Sequence, residues 1–200
     1  MKEKCARVPE FLSMLGDVIW LHFLFVICCL PVITVGASAT AAVYTGMKLA
    51  EGTSEGVTSV FLGAFRSNFR KATLIFLIRG LIGSGLLYAL YYWVKTGGSM
   101  GSVMIIFDMI PLVLWVFSGL YVYGLQAKFE NSPKNTLVNS LLVAVRAFPY
   151  TLLMLLIIAF IAVLFYIGPV TQAVLAFMGF GVMGLSFGYL YHRAFAPLLT

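Results

Sequence analysis

Five long runs of apolar residues dominate the chain, at 18–35, 72–94, 103–127, 147–167 and 169–191, separated by short polar segments. A bilayer core of about 30 Å needs about 20 residues of helix at 1.5 Å each, so each run is close to or beyond spanning length. The last two runs carry no Asp, Glu, Lys or Arg, the second carries only Arg79 and the third only Asp108. A sixth stretch, 36–50, is short and rich in Ala, Gly and Thr, and hydropathy alone leaves it open. Two further stretches are amphipathic. In the first, Val57, Val60, Phe61, Ala64, Phe65 and Phe69 recur at helical spacing, with Arg66, Arg70 and Lys71 off that stripe. This predicts a helix lying on the inner membrane surface. The second, Leu137, Leu141, Leu142 and Val145 leading to Arg146 and Phe148, repeats the pattern more weakly.

Charge decides the short stretch. Without a crossing at 36–50, Lys2, Lys4 and Arg7 fall on the opposite side from Lys48, Arg66, Arg70 and Lys71. With it, eleven of the thirteen cations share one side, leaving Lys95 opposite and Arg79 embedded, as expected when cytoplasmic loops collect positive charge. The expected architecture is therefore all-α. It is a single polytopic helical membrane domain over 1–200, with about six transmembrane helices, one or two cytoplasmic interfacial helices and both termini cytoplasmic. PVITVG at 31–36 is the expected outer bend of the first hairpin, since Pro removes a helix donor and Gly permits a turn; Gly168-Pro169 turns the third. A cleaved signal peptide is the competing reading of the N-terminus. Its apolar run is longer than such segments use, and it carries Asp17 and His22 near its start.

Composition agrees with a lipid solvent: 62% hydrophobic, 15% aromatic and only 10% charged residues, with a mean hydropathy of +1.02, far from an ordinary soluble domain. The net charge of +6 is accounted for by inner loops, and no nucleic-acid partner is expected. Tyr88, Tyr91, Tyr92 and Trp93 form an expected outer aromatic anchor; Tyr121, Tyr123, Tyr189 and Tyr191 form an inner one. Gly184 with Gly188, Ala42 with Gly46, and Gly80 with Ser84 are small-residue pairs that admit close helix approach. Val43-Tyr44 with Glu51 and Val122-Tyr123 with Glu130 share one spacing, and Ala64-Phe65-Arg66 and Thr73-Leu74 match Ala144-Val145-Arg146 and Thr151-Leu152. This suggests a duplicated unit over 36–100 and 115–168 with both copies in the same orientation.

Trp20, the stretch LPVITVGA at 30–37 and Ala42-Val43-Tyr44, continued by FLGAFRSNFRK at 61–71 and NSLLVAVRAFPYT at 139–151, resemble the YesL-like family of bacterial integral membrane proteins of unknown function. Such proteins are common in Firmicutes, often encoded beside sugar ABC-transporter components and glycoside hydrolases. The resemblance implies a role near carbohydrate uptake at the bacterial cell membrane, and it brings no catalytic or binding residue with it.

Soluble-enzyme chemistry finds little support. Gly97-Gly98-Ser99-Met100-Gly101 satisfies G-x-S-x-G and is followed by Asp108 and His192, but the six-span arrangement separates Ser99 from His192 by about 30 Å of hydrocarbon. No phosphate-binding glycine loop or H-E-x-x-H motif occurs. Cys5, Cys28 and Cys29 lack metal or redox spacing. No catalytic residue, cofactor or metal is expected, and the protein is not expected to be an enzyme. The residues that invite a functional reading are the embedded charges Asp17, Arg79 and Asp108, because an ionised group at membrane depth costs roughly 2.5–3.5 kcal/mol on insertion scales. Asp17 and Arg79 are expected at comparable depths and could pair, the alternative being that Arg79 snorkels to the inner surface. Asp108 precedes Pro111, whose ring frees the carbonyl of Phe107, and the two could form a cation or polyol site. The function expected is a non-enzymatic accessory of carbohydrate ABC uptake, contacting lipid and permease subunits; the alternative is a small autonomous transporter or channel for a sugar-related or ionic solute, able to act as a homo-oligomer.

Overall fold

A computed structural model describes the backbone of residues 2–52 and 56–195, and the side chains of residues 12–52 and 56–195. Lys2, Lys4 and Arg7, which anchor the charge argument at the N-terminus, lie outside the described side chains. The described residues form helices and no strand: α1 (Lys2–Cys29), a single 3-10 turn (Val32–Thr34), α2 (Val35–Ala50), α3 (Val57–Thr96), α4 (Gly98–Lys128), α5 (Pro133–Arg146), α6 (Phe148–Ile167) and α7 (Pro169–Phe195). Five of them are long and apolar enough to cross a membrane: Leu12–Cys29 within α1, then α3, α4, α6 and α7. This is an all-helical chain built for lipid.

Local chemistry explains the breaks. Pro31 ends α1, and the Thr34 hydroxyl lies within hydrogen-bonding reach of the carbonyl of Cys28 (2.5 Å), which α1 leaves open at its end, and of the carbonyl of Pro31 (2.6 Å). Between α3 and α4 the expected outer loop shrinks to Gly97 alone. Gly97 and Gly98 take φ of 63° and 69°, a region costly for residues with a Cβ, and Ser99 of the G-x-S-x-G motif becomes part of the first turn of α4. Ser132 caps α5 by accepting from the backbone N–H of Asn135 (3.3 Å).

One expectation is corrected. The stretch 57–71 is not a separate surface helix. It is the first part of α3, which runs unbroken for 40 residues, about 60 Å, because no proline interrupts it. Its counterpart does break, since Pro149 cannot donate to the carbonyl of Val145 and α6 restarts at Phe148, leaving α5 as a separate amphipathic helix. The stretch 36–50 is helical. It forms α2, only 16 residues and about 24 Å long, and most of its side chains are buried by α1, α3, α4 and α7. Gly36 lies against Ala72 and Phe76, while Ala41 and Ala42 share a core with Leu21, Val57, Phe61 and Ala64. So α2 runs beside residues 57–76, the half of α3 that carries Arg66, Arg70 and Lys71, and not beside 77–96. The bend at 30–34 therefore stands about 30 Å along α3 from Thr96.

Close approach holds the centre. An added Cβ on Gly46 would run into the backbone of Gly184, and one on Gly188 into the backbone of Gly46. The small faces of α2 and α7 thus meet each other, and bring backbone within van der Waals range where lipid gives no hydrophobic drive. A Cβ on Gly80 would meet nothing within 4 Å, and Ser84 is exposed, so that third small pair packs against no helix among the described residues. A second core joins α4, α5 and α7 around Tyr121, Tyr191 and Phe195, with the Tyr191 hydroxyl donating to the carbonyl of Leu120.

Candidate intramembrane polar site

Arg79 stands on the face of α3 turned to α4, 8% exposed. Its Nη1 donates to Ser118 Oγ (3.0 Å) and its Nη2 to the carbonyl of Trp115 (2.8 Å). Trp115 answers with its indole N–H on the carbonyl of Arg79 (3.0 Å), and its ring lies 4.8 Å below the guanidinium carbon, within cation–π range. Two small residues make this possible. Gly83 gives the indole its place and Gly119 the guanidinium, for a Cβ at either position would come within 2.5 Å of the ring or of Nη2. The cluster continues from Ser118 Oγ to Ser140 Oγ on α5 (2.6 Å). A second polar link ties the same three helices, as Gln126 Nε2 donates to Asn68 Oδ1 (3.0 Å) and Thr136 to Gln126 Oε1 (3.3 Å).

The structure does not bring the three embedded charges together. Among the described residues the sole ion pair is Lys48 with Glu51 (3.4 Å), so Asp17 does not pair with Arg79. The reason is geometric: Gly181 of α7 packs against the backbone of Val18, next to Asp17 in α1, whereas Arg79 turns toward α4. Nor does Arg79 snorkel to the surface; it is clamped where it stands. Asp108 lies nearer the start of α4 than Trp115, with its Oδ2 buried and without a hydrogen-bond partner among the described residues. Among the described residues no group of three or more His, Cys, Asp or Glu side chains could hold a metal ion. Ser99 and His192 stay apart as well. Tyr191, beside His192, reaches Leu120, and Leu120 is about 30 Å along α4 from Ser99.

Sequence reasoning missed the partners of Arg79. Trp115, Ser118, Gly119 and Ser140 look in sequence like an interface aromatic and helix-packing residues. The one available signal was their spacing, since Trp115, Ser118 and Gly119 fall at i, i+3 and i+4 on a single helix face. The structure also shows two cavities bordering this region. One, of about 360 Å³, has Arg79, Trp115 and Tyr123 on one side and Val43, Phe180 and Met183 on the other. The other, of about 490 Å³, is a polar cleft between α2, α3 and α4 edged by Lys71, Lys128 and Glu130. Chemically, the first offers a fixed cation with an apolar wall opposite.

A family model described as a protein of unknown function, DUF624, matches residues 18–90, in the family that contains the YesL-like proteins. That range covers the C-terminal part of α1, all of α2 and most of α3, including Arg79. Comparison with curated proteins and with solved structures finds no match.

Proposed function

We propose that this chain is a YesL-like protein of the bacterial cell membrane, with cytoplasmic termini, that serves as a non-enzymatic accessory of carbohydrate ABC uptake by docking onto helices of the permease. The observation that carries the reading is the outer half of the α3–α4 hairpin. Beyond Gly83 its side chains are widely exposed, among them Leu87, Tyr88, Ile106 and Ile110, and yet it holds a buried carboxylate oxygen, Asp108 Oδ2, with no donor among the described residues. A carboxylate without a partner at membrane depth is costly. A permease helix presenting a hydroxyl, an amide or a cation would remove that cost, and the uncovered Gly80 and Ser84 face would let such a helix come close. The sugar-transport part of the reading rests on what accompanies the genes of YesL-like relatives.

Crosslinking of the intact protein in the membranes of its own source, grown on several carbohydrates, followed by mass spectrometry of whatever is retained, tests this. The expected result is recovery of one permease pair from the native chain, lost with Asp108→Asn while the variant still inserts and stays folded. Recovery of this protein alone in every condition refutes the accessory role. It would favour the second reading, an autonomous transporter with Arg79 and Asp108 along its path, which flux of solute into liposomes holding this protein alone would establish.

A further inference from the structure

The cavity at Arg79 does not end at the bundle centre. Its lining residues Ile158, Phe180 and Met183 also line a second apolar cavity of about 550 Å³ between α6 and α7, which continues to Phe165, Tyr166 and Gln172. From Met183 to Gln172 the wall of α7 extends about 16 Å, close to half of a roughly 30 Å hydrocarbon core, the depth filled by the chains of one leaflet. The corridor is open at its side. α4 and α6 scarcely touch along their lengths, meeting at the hydrogen bond between Tyr121 and Thr151 (3.0 Å), and Val116 and Ile158, each 37% exposed, stand on either side of the gap. One end of the space thus presents a buried cation and a tyrosine hydroxyl, and the rest presents hydrocarbon.

We propose that this corridor binds one anionic phospholipid of the surrounding bilayer, its phosphate on Arg79 and the Tyr123 hydroxyl and an acyl chain along α6 and α7. Charge and shape select that occupant together. Arg79 has no carboxylate within ion-pair distance among the described residues, and the chain's own hydrogen bonds use two of its five N–H donors. The planar fork that remains suits a phosphate oxygen pair. A free anion would satisfy the cation and leave the apolar corridor empty. A zwitterionic lipid would fill the corridor and bring a phosphate as well, but its choline cation comes with it, so the buried positive charge would keep no net counter-charge.

The test uses the full-length protein in nanodiscs of phosphatidylcholine with a small fraction of spin-labelled phosphatidylglycerol or spin-labelled phosphatidylcholine, read as the immobilised fraction of each label. The expected result is a several-fold preference for the anionic label, reduced to parity by Arg79→Gln and partly kept by Arg79→Lys. Ile158→Trp, which narrows the corridor and leaves the cation in place, is expected to reduce immobilisation of the anionic label even if Arg79→Gln folds poorly. Lys71→Gln, at an exposed cation, is expected to leave the preference unchanged. Inorganic phosphate at millimolar concentration is expected to compete weakly. The proposal is overturned if the native protein shows no preference, if Lys71→Gln abolishes it while Arg79→Gln does not, or if inorganic phosphate displaces the label fully, which would make the site one for a free anion.

Discussion

Gly119→Ala is the smallest change that separates a clamped arginine from a merely buried one. The added methyl would stand 2.5 Å from Nη2 and 3.3 Å from Cζ of Arg79, where ordinary contact begins near 3.5 Å. The guanidinium must therefore retreat by about 1 Å, and α4 resists moving because Tyr191 and Ser140 hold it from other sides. Bonds of 2.8 and 3.0 Å to Trp115 and Ser118 then pass the roughly 3.2 Å limit for a good N–H···O bond. Losing one hydrogen bond to a charged group costs about 1.5–3 kcal/mol, and disturbing a desolvated cation–π contact adds about 1 kcal/mol. A destabilisation of about 2.5–4 kcal/mol is expected by these terms, together with a shift in Trp115 fluorescence. Gly85→Ala is the control, since nothing lies within 4 Å of its added Cβ and a mid-helix Gly→Ala change normally stabilises by about 0.5–1 kcal/mol. Equilibrium unfolding in mixed micelles, followed by circular dichroism, measures both. If Gly119→Ala is as stable as Gly85→Ala, Arg79 is not fixed by Trp115 and Ser118 and the argument for a pre-set anion site fails with it.

Asp108→Asn, by removing the charge of a half-buried carboxylate whose Oδ2 has no partner among the described residues, is expected to stabilise the isolated protein by about 1 kcal/mol, read as a raised unfolding midpoint; a clear loss of stability would mean that Asp108 has a partner within the chain. A double-mutant cycle on Ser118→Ala and Ser140→Ala should give a coupling of about 0.6–1.7 kcal/mol, the range for hydrogen bonds between membrane helices, and additive effects would remove Ser140 from the Arg79 cluster. Gly46→Leu should prevent assembly, seen as loss of folded protein on size exclusion, because its Cβ already meets the backbone of Gly184. An impermeant thiol reagent added from outside intact cells, with native cysteines replaced, should label Ser99→Cys and not Ile33→Cys; equal labelling would place the α1–α2 bend at the outer surface and restore a full crossing by α2.

The sequence by itself determined the solvent and the punctuation of this protein. Apolar runs of spanning length mark which segments leave water, and Pro31, Gly97, Pro133, Pro149 and Gly168 stop or start helices because a missing donor or a missing Cβ acts locally, whatever packs nearby. It also marked Arg79 and Asp108 as unusual, since the cost of burying charge is read from a single residue and its flanks. Only the tertiary structure decided depth and partnership. That α3 continues through 57–96, that α2 lies beside its charged half, and that Arg79 meets Trp115 and Ser118 while Asp17 meets neither, depend on the register between helices. In lipid every outward face is apolar, so hydropathy carries no signal for which face meets which helix. That choice falls to the shape of small residues such as Gly46, Gly119 and Gly188 and to a few hydrogen bonds formed only once the helices are side by side.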